Sequence, residues 1–201
     1  MKKYVLIVMA LILMISATMI LPIHGEGEIY DSVIRLHVLA DNDGEEAQAL
    51  KLHVRDAVLA AAKPLLASAK TKAEAEAIIK RSLPTLREAA LAALRERGST
   101  DPVTLTLTRE SYPTKTYEAL AFPAGEYLSL RVKIGKAAGQ NWWCVLFPPL
   151  CLSAATEKSE AEAAFLAAGL SEEQYRIITD SDKPKYKLRF KILEMAGALF
   201  S

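Results

Sequence analysis

The chain has 201 residues, 51% of them apolar, and a formal net charge of +1. That is the size of one ordinary domain with a full hydrophobic core. The near-zero charge excludes recognition of nucleic acid or of an anionic membrane surface by bulk basicity, so partners must be read by shape and local contacts.

Met1-Lys2-Lys3 is a basic start, and Tyr4 to Leu21 is apolar apart from Ser16 and Thr18. A basic start followed by an apolar run is the pattern of an export element. The run is longer than the roughly 7–15 residues of a usual signal core and close to the ~18 of a spanning helix. No Ala-x-Ala site follows it, so residues 1–25 are expected to be either a cleaved signal peptide or a retained anchor at 4–21. Those residues hold two of the 25 bases and no acid, so removing them leaves 23 bases against 24 acids, a net charge of −1.

Glu26 to Ser32 reads as a polar linker, and residues 26–201 as a single domain. Val33 to Ala40 is β-branched and partly alternating, which predicts a strand. Asp41-Asn42-Asp43-Gly44 ends it. Asp43 is the predicted N-cap of the next helix, with Glu46 as its capping-box partner. Leu50, Val54, Ala57, Val58 and Ala61 form the apolar stripe of that helix, which should reach about Ala62 before Pro64. Thr71 with Glu74 opens a further helical stretch to Arg97 and Gly98, with Pro84 either kinking it or starting a new helix. The period then changes. Val103, Leu105 and Leu107 alternate with threonines, and Leu128, Leu130, Val132 and Ile134 alternate with Ser129, Arg131 and Lys133. Both are strands with one wet face. Lys115 to Phe122 and Trp142 to Phe147 are two more. Ser159 to Gly169 is a predicted helix, and Leu188, Ile192, Met195, Ala196 and Leu199 have helical spacing. The expected fold is α+β, with a mostly antiparallel sheet, helices on one face, and the export helix in front.

Gly139 to Cys151 holds both tryptophans, both cysteines and the single Pro-Pro pair. A straight strand would hold Cys144 and Cys151 roughly 23 Å apart at ~3.3 Å per residue. A disulfide needs Cα atoms within about 7 Å. The bridge therefore requires a reversal at Pro148-Pro149, and it would stabilise the fold by roughly 2–3 kcal/mol. Two separate buried thiols are the other arrangement. Trp142 and Trp143, as neighbours on a strand, face opposite sides. An exposed tryptophan beside a rigid turn suits a protein contact, whereas two covered rings would simply brace the core.

His37, Asp41, Asp43, His53 and Asp56 lie near one strand–helix junction but lack HExxH, HxH or HxxE spacing, which favours local structural jobs over a metal site. Cys144 with His37 or His53 would make a thiol nucleophile and base, yet nothing around Cys144 has the form of a nucleophile turn. No Gly-rich phosphate loop or GxSxG is present. An exported cell-wall or peptide hydrolase using Cys144 or a metal near His37 is the alternative function.

Several segments together resemble one family. They are Ile34-Arg35-Leu36-His37-Val38-Leu39-Ala40, Gln48 to Val58, Tyr112-Pro113-Thr114-Lys115, Pro123 to Tyr127, Leu130 to Gly135, and the Asn141-Trp142-Trp143-Cys144-Val145-Leu146-Phe147-Pro148-Pro149-Leu150-Cys151 block. The chain resembles the stage II sporulation protein R family of endospore-forming bacteria. It departs from that family's usual Ala-Asn-Ser-Asp by reading Ala40-Asp41-Asn42-Asp43. The resemblance implies a signal made in the forespore and exported toward the space between the septal membranes. There it would activate a membrane-embedded aspartic protease of the mother cell, which processes a sigma-factor precursor. It implies no catalytic residue, and the residues themselves give no sign of a cofactor, a metal site or nucleic-acid binding. The candidate contact residues are Trp142, Trp143, Phe147 and Pro148, with Arg35, His37, Lys51 and Arg55 as a second, polar patch.

Overall fold

The computed structural model describes residues 26–117 and 120–148, together with 3–4, 9, 11, 163, 165–167, 171, 175 and 178–179. The elements are α1 (Glu26–Ser32), β1 (Ile34–Leu39), α2 (Glu45–Leu66), α3 (Lys72–Glu96), β2 (Val103–Tyr112), β3 (Lys115–Tyr117), β4 (Leu120–Phe122), β5 (Gly125–Ile134) and β6 (Asn141–Phe147). Four strands form one sheet in the order β2-β5-β1-β6, and β3 and β4 form a separate hairpin. The α+β class holds, but the sheet is mixed. β1 runs parallel to β5 at its centre, with Leu36 opposite Leu130, while β1–β6 and β2–β5 are antiparallel. Alternation along a strand reveals a wet face but not the direction of its neighbour. A parallel neighbour needs a long crossover, and here α2, α3 and β2 supply it.

Ile34, Leu36 and Val38 of β1, Leu130, Val132 and Ile134 of β5, and Val103 and Leu105 of β2 point to one face. Leu50, Val54, Val58, Ala62 and Leu66 of α2 and Ala75, Ile79, Leu86, Ala90 and Leu94 of α3 cover it. Both helices run through their prolines, Pro64 and Pro84, so residues 45–96 hold two long helices. Pro84 deprives the Lys80 carbonyl of its donor, but Lys80 is on the exposed side of the helix. Thr71 caps α3 as expected, its hydroxyl accepting from the Glu74 N–H at 3.2 Å.

The other face is not simply wet. Ile29, Val33, Tyr112, Phe122, Tyr127, Val145, Phe165, Tyr175 and Ile178 form a second buried cluster there. The expectation of helices on one face only is thus corrected, because Ile29 of α1 and the helical residues Phe165 and Ile178 cover part of the second face. The stretch taken for a linker is α1 itself. Its Tyr30 hydroxyl donates to the Ala124 carbonyl at 2.9 Å, and its ring meets Tyr127 edge-on at 4.9 Å. The single strand expected over Lys115–Phe122 is the β3–β4 hairpin.

The turn after β1 and the β5–β6 loop hold each other. Gly139 N–H donates to the Ala40 carbonyl at 3.0 Å and Ala138 N–H to the Asp41 carbonyl at 3.1 Å. Asp41 and Asp43 accept from the N–H groups of Lys136 (2.6 Å) and Gln140 (2.7 Å). Asp43 therefore ties two loops together and does not cap α2, whose N-cap is Gly44 without a side-chain bond. The Lys136 N–H, with the Asn42 amide, holds the Asp41 carboxyl below its ordinary value. A Cβ on Gly139 would lie 2.2 Å from the Asn42 carbonyl oxygen, so only glycine fits there. Gly135, at φ +55°, makes the turn that brings Lys136 to Asp41.

Among the described residues no helix is long and apolar enough to cross a membrane. The 4–21 segment lies almost wholly outside them, as do Pro149, Cys151, Ser159 and the tail helix expected around Leu188–Leu199.

Candidate functional site

Alternate residues of β1, β5, β2 and β6 that turn away from α2 and α3 build an aromatic and polar face. At its covered end Arg35 is fully buried. Its guanidinium carbon lies 4.5 Å from the Tyr112 ring centroid and 5.0 Å from those of Phe122 and Tyr127. Its Nε donates to the Cys144 carbonyl at 3.2 Å. The Tyr112 hydroxyl lies 2.6 Å from Ser129 Oγ, and the Tyr127 hydroxyl donates to the Pro123 carbonyl at 2.7 Å. A buried cation among π faces is held by their quadrupoles as well as by its hydrogen bonds.

Toward the open end, His37 Nδ1 lies 3.2 Å from Glu110 Oε1 and its Nε2 2.8 Å from Asn141 Oδ1. Arg131 Nη1 donates to the same Glu110 oxygen at 3.1 Å. Half-buried Trp143 packs on His37 (5.7 Å) and Tyr112 (5.9 Å), with Lys115 Nζ 4.3 Å from its centroid. Burial pushes the Glu110 carboxyl up, but the His37 hydrogen bond and charge, the Ser129 hydrogen bond and the Arg131 charge outweigh it, and the carboxyl sits below its ordinary value. A carboxyl with a lowered folded pKa adds stability that is full above its unfolded pKa and is lost as pH falls through the folded value. The stability gap between wild type and Glu110→Gln should therefore be widest near neutral pH and close as pH drops through the acid range. Urea unfolding of both proteins at pH 7, 5 and 3 measures it, and a gap that widens toward pH 3 contradicts this balance.

The sequence-derived candidates divide between two faces. Trp143, His37 and Arg35 share the face just described. Trp142 points the other way, toward α2, where the Arg55 guanidinium lies 4.5 Å above its ring and also pairs with Asp56 at 2.7 Å. Lys51, 4% exposed, donates to the Gln140 carbonyl at 3.0 Å. Burial lowers its ammonium pKa, and Asp43 opposes that shift. Arg35 and His37 therefore form no common patch with Lys51 and Arg55. Phe147 and Pro148 are buried at the end of β6 and present no contact surface. Glu110, Arg131, Tyr112, Tyr127 and Lys115 were absent from the sequence-derived set; continuing the alternation of β2 to Tyr112 puts Glu110 and Tyr112 on its wet side, and the pairing with β5 brings Arg131 and Tyr127 to the same face.

Cys144 lies opposite Leu36 on the helix-covered face, 2% exposed, with its Sγ 3.8 Å from the Val145 carbonyl. His37 is on the reverse face, and His53 is bonded to Glu96 at 3.0 Å, so neither histidine is placed as a base for this thiol. The bridge to Cys151 falls outside the described residues. Among the described residues no three His, Cys, Asp or Glu side chains are grouped to hold a metal, since Asp41 and Asp43 bind loop amides and His37 and His53 have separate partners.

A family profile described as stage II sporulation protein R matches residues 30–157. A curated relative, stage II sporulation protein R of Bacillus subtilis (strain 168), is 35% identical over 142 residues, covering 68% of this chain and 63% of the relative. The chain thus spans somewhat less than two thirds of that relative's length. No solved structure matches. The profile takes in α2, α3 and all six strands, including the Trp143 face, and the chain belongs to the stage II sporulation protein R family.

Proposed function

We propose that the chain is an exported signalling protein of sporulation that activates a membrane-embedded aspartic protease of the mother cell, which then processes a sigma-factor precursor. Membership of the stage II sporulation protein R family carries this reading. It acts in the space between forespore and mother cell, with residues 1–25 serving as signal peptide or anchor. Its role is that of a ligand and not of a hydrolase. Binding to the extracytoplasmic part of the protease favours the active dimer. A ligand shifts such an equilibrium only by its differential affinity, and moving it from 1:99 to 99:1 takes a preference of about 10⁴. Half-buried Trp143, flanked by His37 and Lys115, suits such a contact, since aromatic anchors dominate binding energy.

Co-expression of the full chain with the candidate protease and its precursor substrate, in a host that does not sporulate, should yield processed sigma factor only when all three are present. Trp143→Ala should lower processing about tenfold or more. Trp142→Ala should act mainly by weakening the fold beneath Arg55. A folded, exported Trp143→Ala protein that activates normally would show that the aromatic contact is wrong. Processing that is independent of the chain would remove the activator role.

A further inference from the structure

The open end of the Trp143 face is basic in a protein whose total charge is almost balanced. Lys115, Arg131 and Lys133 point from it, with His37 and Asn141 beside them and Arg35 behind. Glu110 is the one carboxylate among the described strand residues of this face, and it is already engaged by His37 and Arg131. Lys133 is exposed and has no carboxylate partner among the described residues. Lys115 rests on the Trp143 ring, and Arg131 pairs with Glu110 through Nη1 while its Nε is buried. On the helix side several cations each have a carboxylate of their own, as in Lys80–Glu76, Arg95–Glu88 and Arg55–Asp56. One carboxylate shared by Arg131 and His37, with Lys115 and Lys133 beside it, leaves a positive excess around a half-buried aromatic ring, and this favours an incoming anion that also carries apolar groups.

We propose that this open end, framed by Lys115, Arg131, Lys133 and Trp143, binds an extended acidic segment of a partner protein. Carboxylates at alternate positions of an extended chain repeat at about 7 Å, which is also the spacing of Arg131 and Lys133, two residues apart on β5. The side chains between them would lie on Trp143. An anionic bilayer fits less well, because the ring and His37 are half-buried. The identity of the partner as the protease rests on the activator reading, whereas the surface and its acidic ligand do not.

The test uses the full chain in mild non-ionic detergent, a capped octapeptide of alternating glutamate and valine, and tryptophan fluorescence as the signal. The peptide should bind wild type and Lys63→Glu, a charge reversal on exposed α2 surface, alike. Lys115→Glu/Lys133→Glu, with unchanged thermal unfolding, should bind it about tenfold or more weakly, and affinity should fall with added salt. Equal binding by the double variant overturns the proposal, as does absence of binding. Lysine-dependent binding to phosphatidylglycerol vesicles without binding to the peptide also overturns it, in favour of a membrane. If only Glu157→Gln/Glu160→Gln/Glu162→Gln binds the peptide, the chain's own acidic run is the occupant, and the proposal fails. In the co-expression assay the double variant should lose processing while Lys63→Glu keeps it. Peptide binding without any chain-dependent processing would leave the surface standing and remove the activator role alone.

Discussion

Arg35→Ala lowers the unfolding free energy by about 3–5 kcal/mol, through a cavity among three aromatic rings and the loss of cation–π and hydrogen-bond contacts. The side chain is fully buried between Tyr112, Phe122 and Tyr127, and it bonds the Cys144 carbonyl, so truncation removes packing and a donor together. Such a loss is a large part of the roughly 5–15 kcal/mol that holds a domain folded. Arg35→Met keeps most of the stem volume and should cost less, because replacing a buried ion by an apolar group of similar size is often tolerated. Urea unfolding of the full chain in mild detergent compares the three proteins. An Arg35→Ala protein within about 1 kcal/mol of wild type would mean that the rings close on each other without the guanidinium, and that Arg35 does not organise this face.

Gly139→Ala is the second large effect, at about 2–3 kcal/mol of stability, from a steric conflict that the local backbone cannot easily relieve. The new Cβ would sit 2.2 Å from the Asn42 carbonyl oxygen and 2.5 Å from its carbonyl carbon. Moving apart would break the Gly139–Ala40 and Ala138–Asp41 bonds, and would strain the Gln140–Asp43 contact beside them. Because Gly139 lies two residues before β6, the change should also disturb Trp142 and Trp143. Tryptophan fluorescence should respond together with the unfolding midpoint. An unaltered midpoint would show that the two loops can separate at little cost.

Much of this architecture is legible in the residues. The Thr71–Glu74 pair, the halt at Gly98 and the alternation of β2 and β5 each state a local rule that packing does not overturn. What escapes is what depends on distant partners. Asp43 has the form of an N-cap, but a loop nearly a hundred residues away claims its carboxylate. Glu26–Ser32 is polar enough to read as a linker, yet the clustering of Phe122, Tyr127, Val145 and Phe165 gives Ile29 a core to enter. Arg35 is a cation within a strand pattern, which suggests solvent, and only the fold reveals the aromatic box that accepts it. The site was half legible for the same reason. Trp143 and His37 draw notice by type, whereas Glu110 and Arg131 gain meaning only once β2, β5 and β1 lie side by side. Phe147 and Pro148 were misjudged because a rare residue block was taken for surface when most of its apolar members pack inward.

The central parallel pair also bears on the order in which the domain can assemble. Ile34 leaves the ribosome early but pairs with Leu128 and Phe147, which come last among the strands. A chain that emerges N-terminus first therefore holds its innermost strand unpaired until almost the whole sheet has followed. Contacts of such long range are slow to close. A translation product stopped before β6 leaves Ile34, Leu36 and Val38 without one of their two strands. The sheet is therefore closed only when β6 arrives, and a shortened chain keeps an open edge on β1.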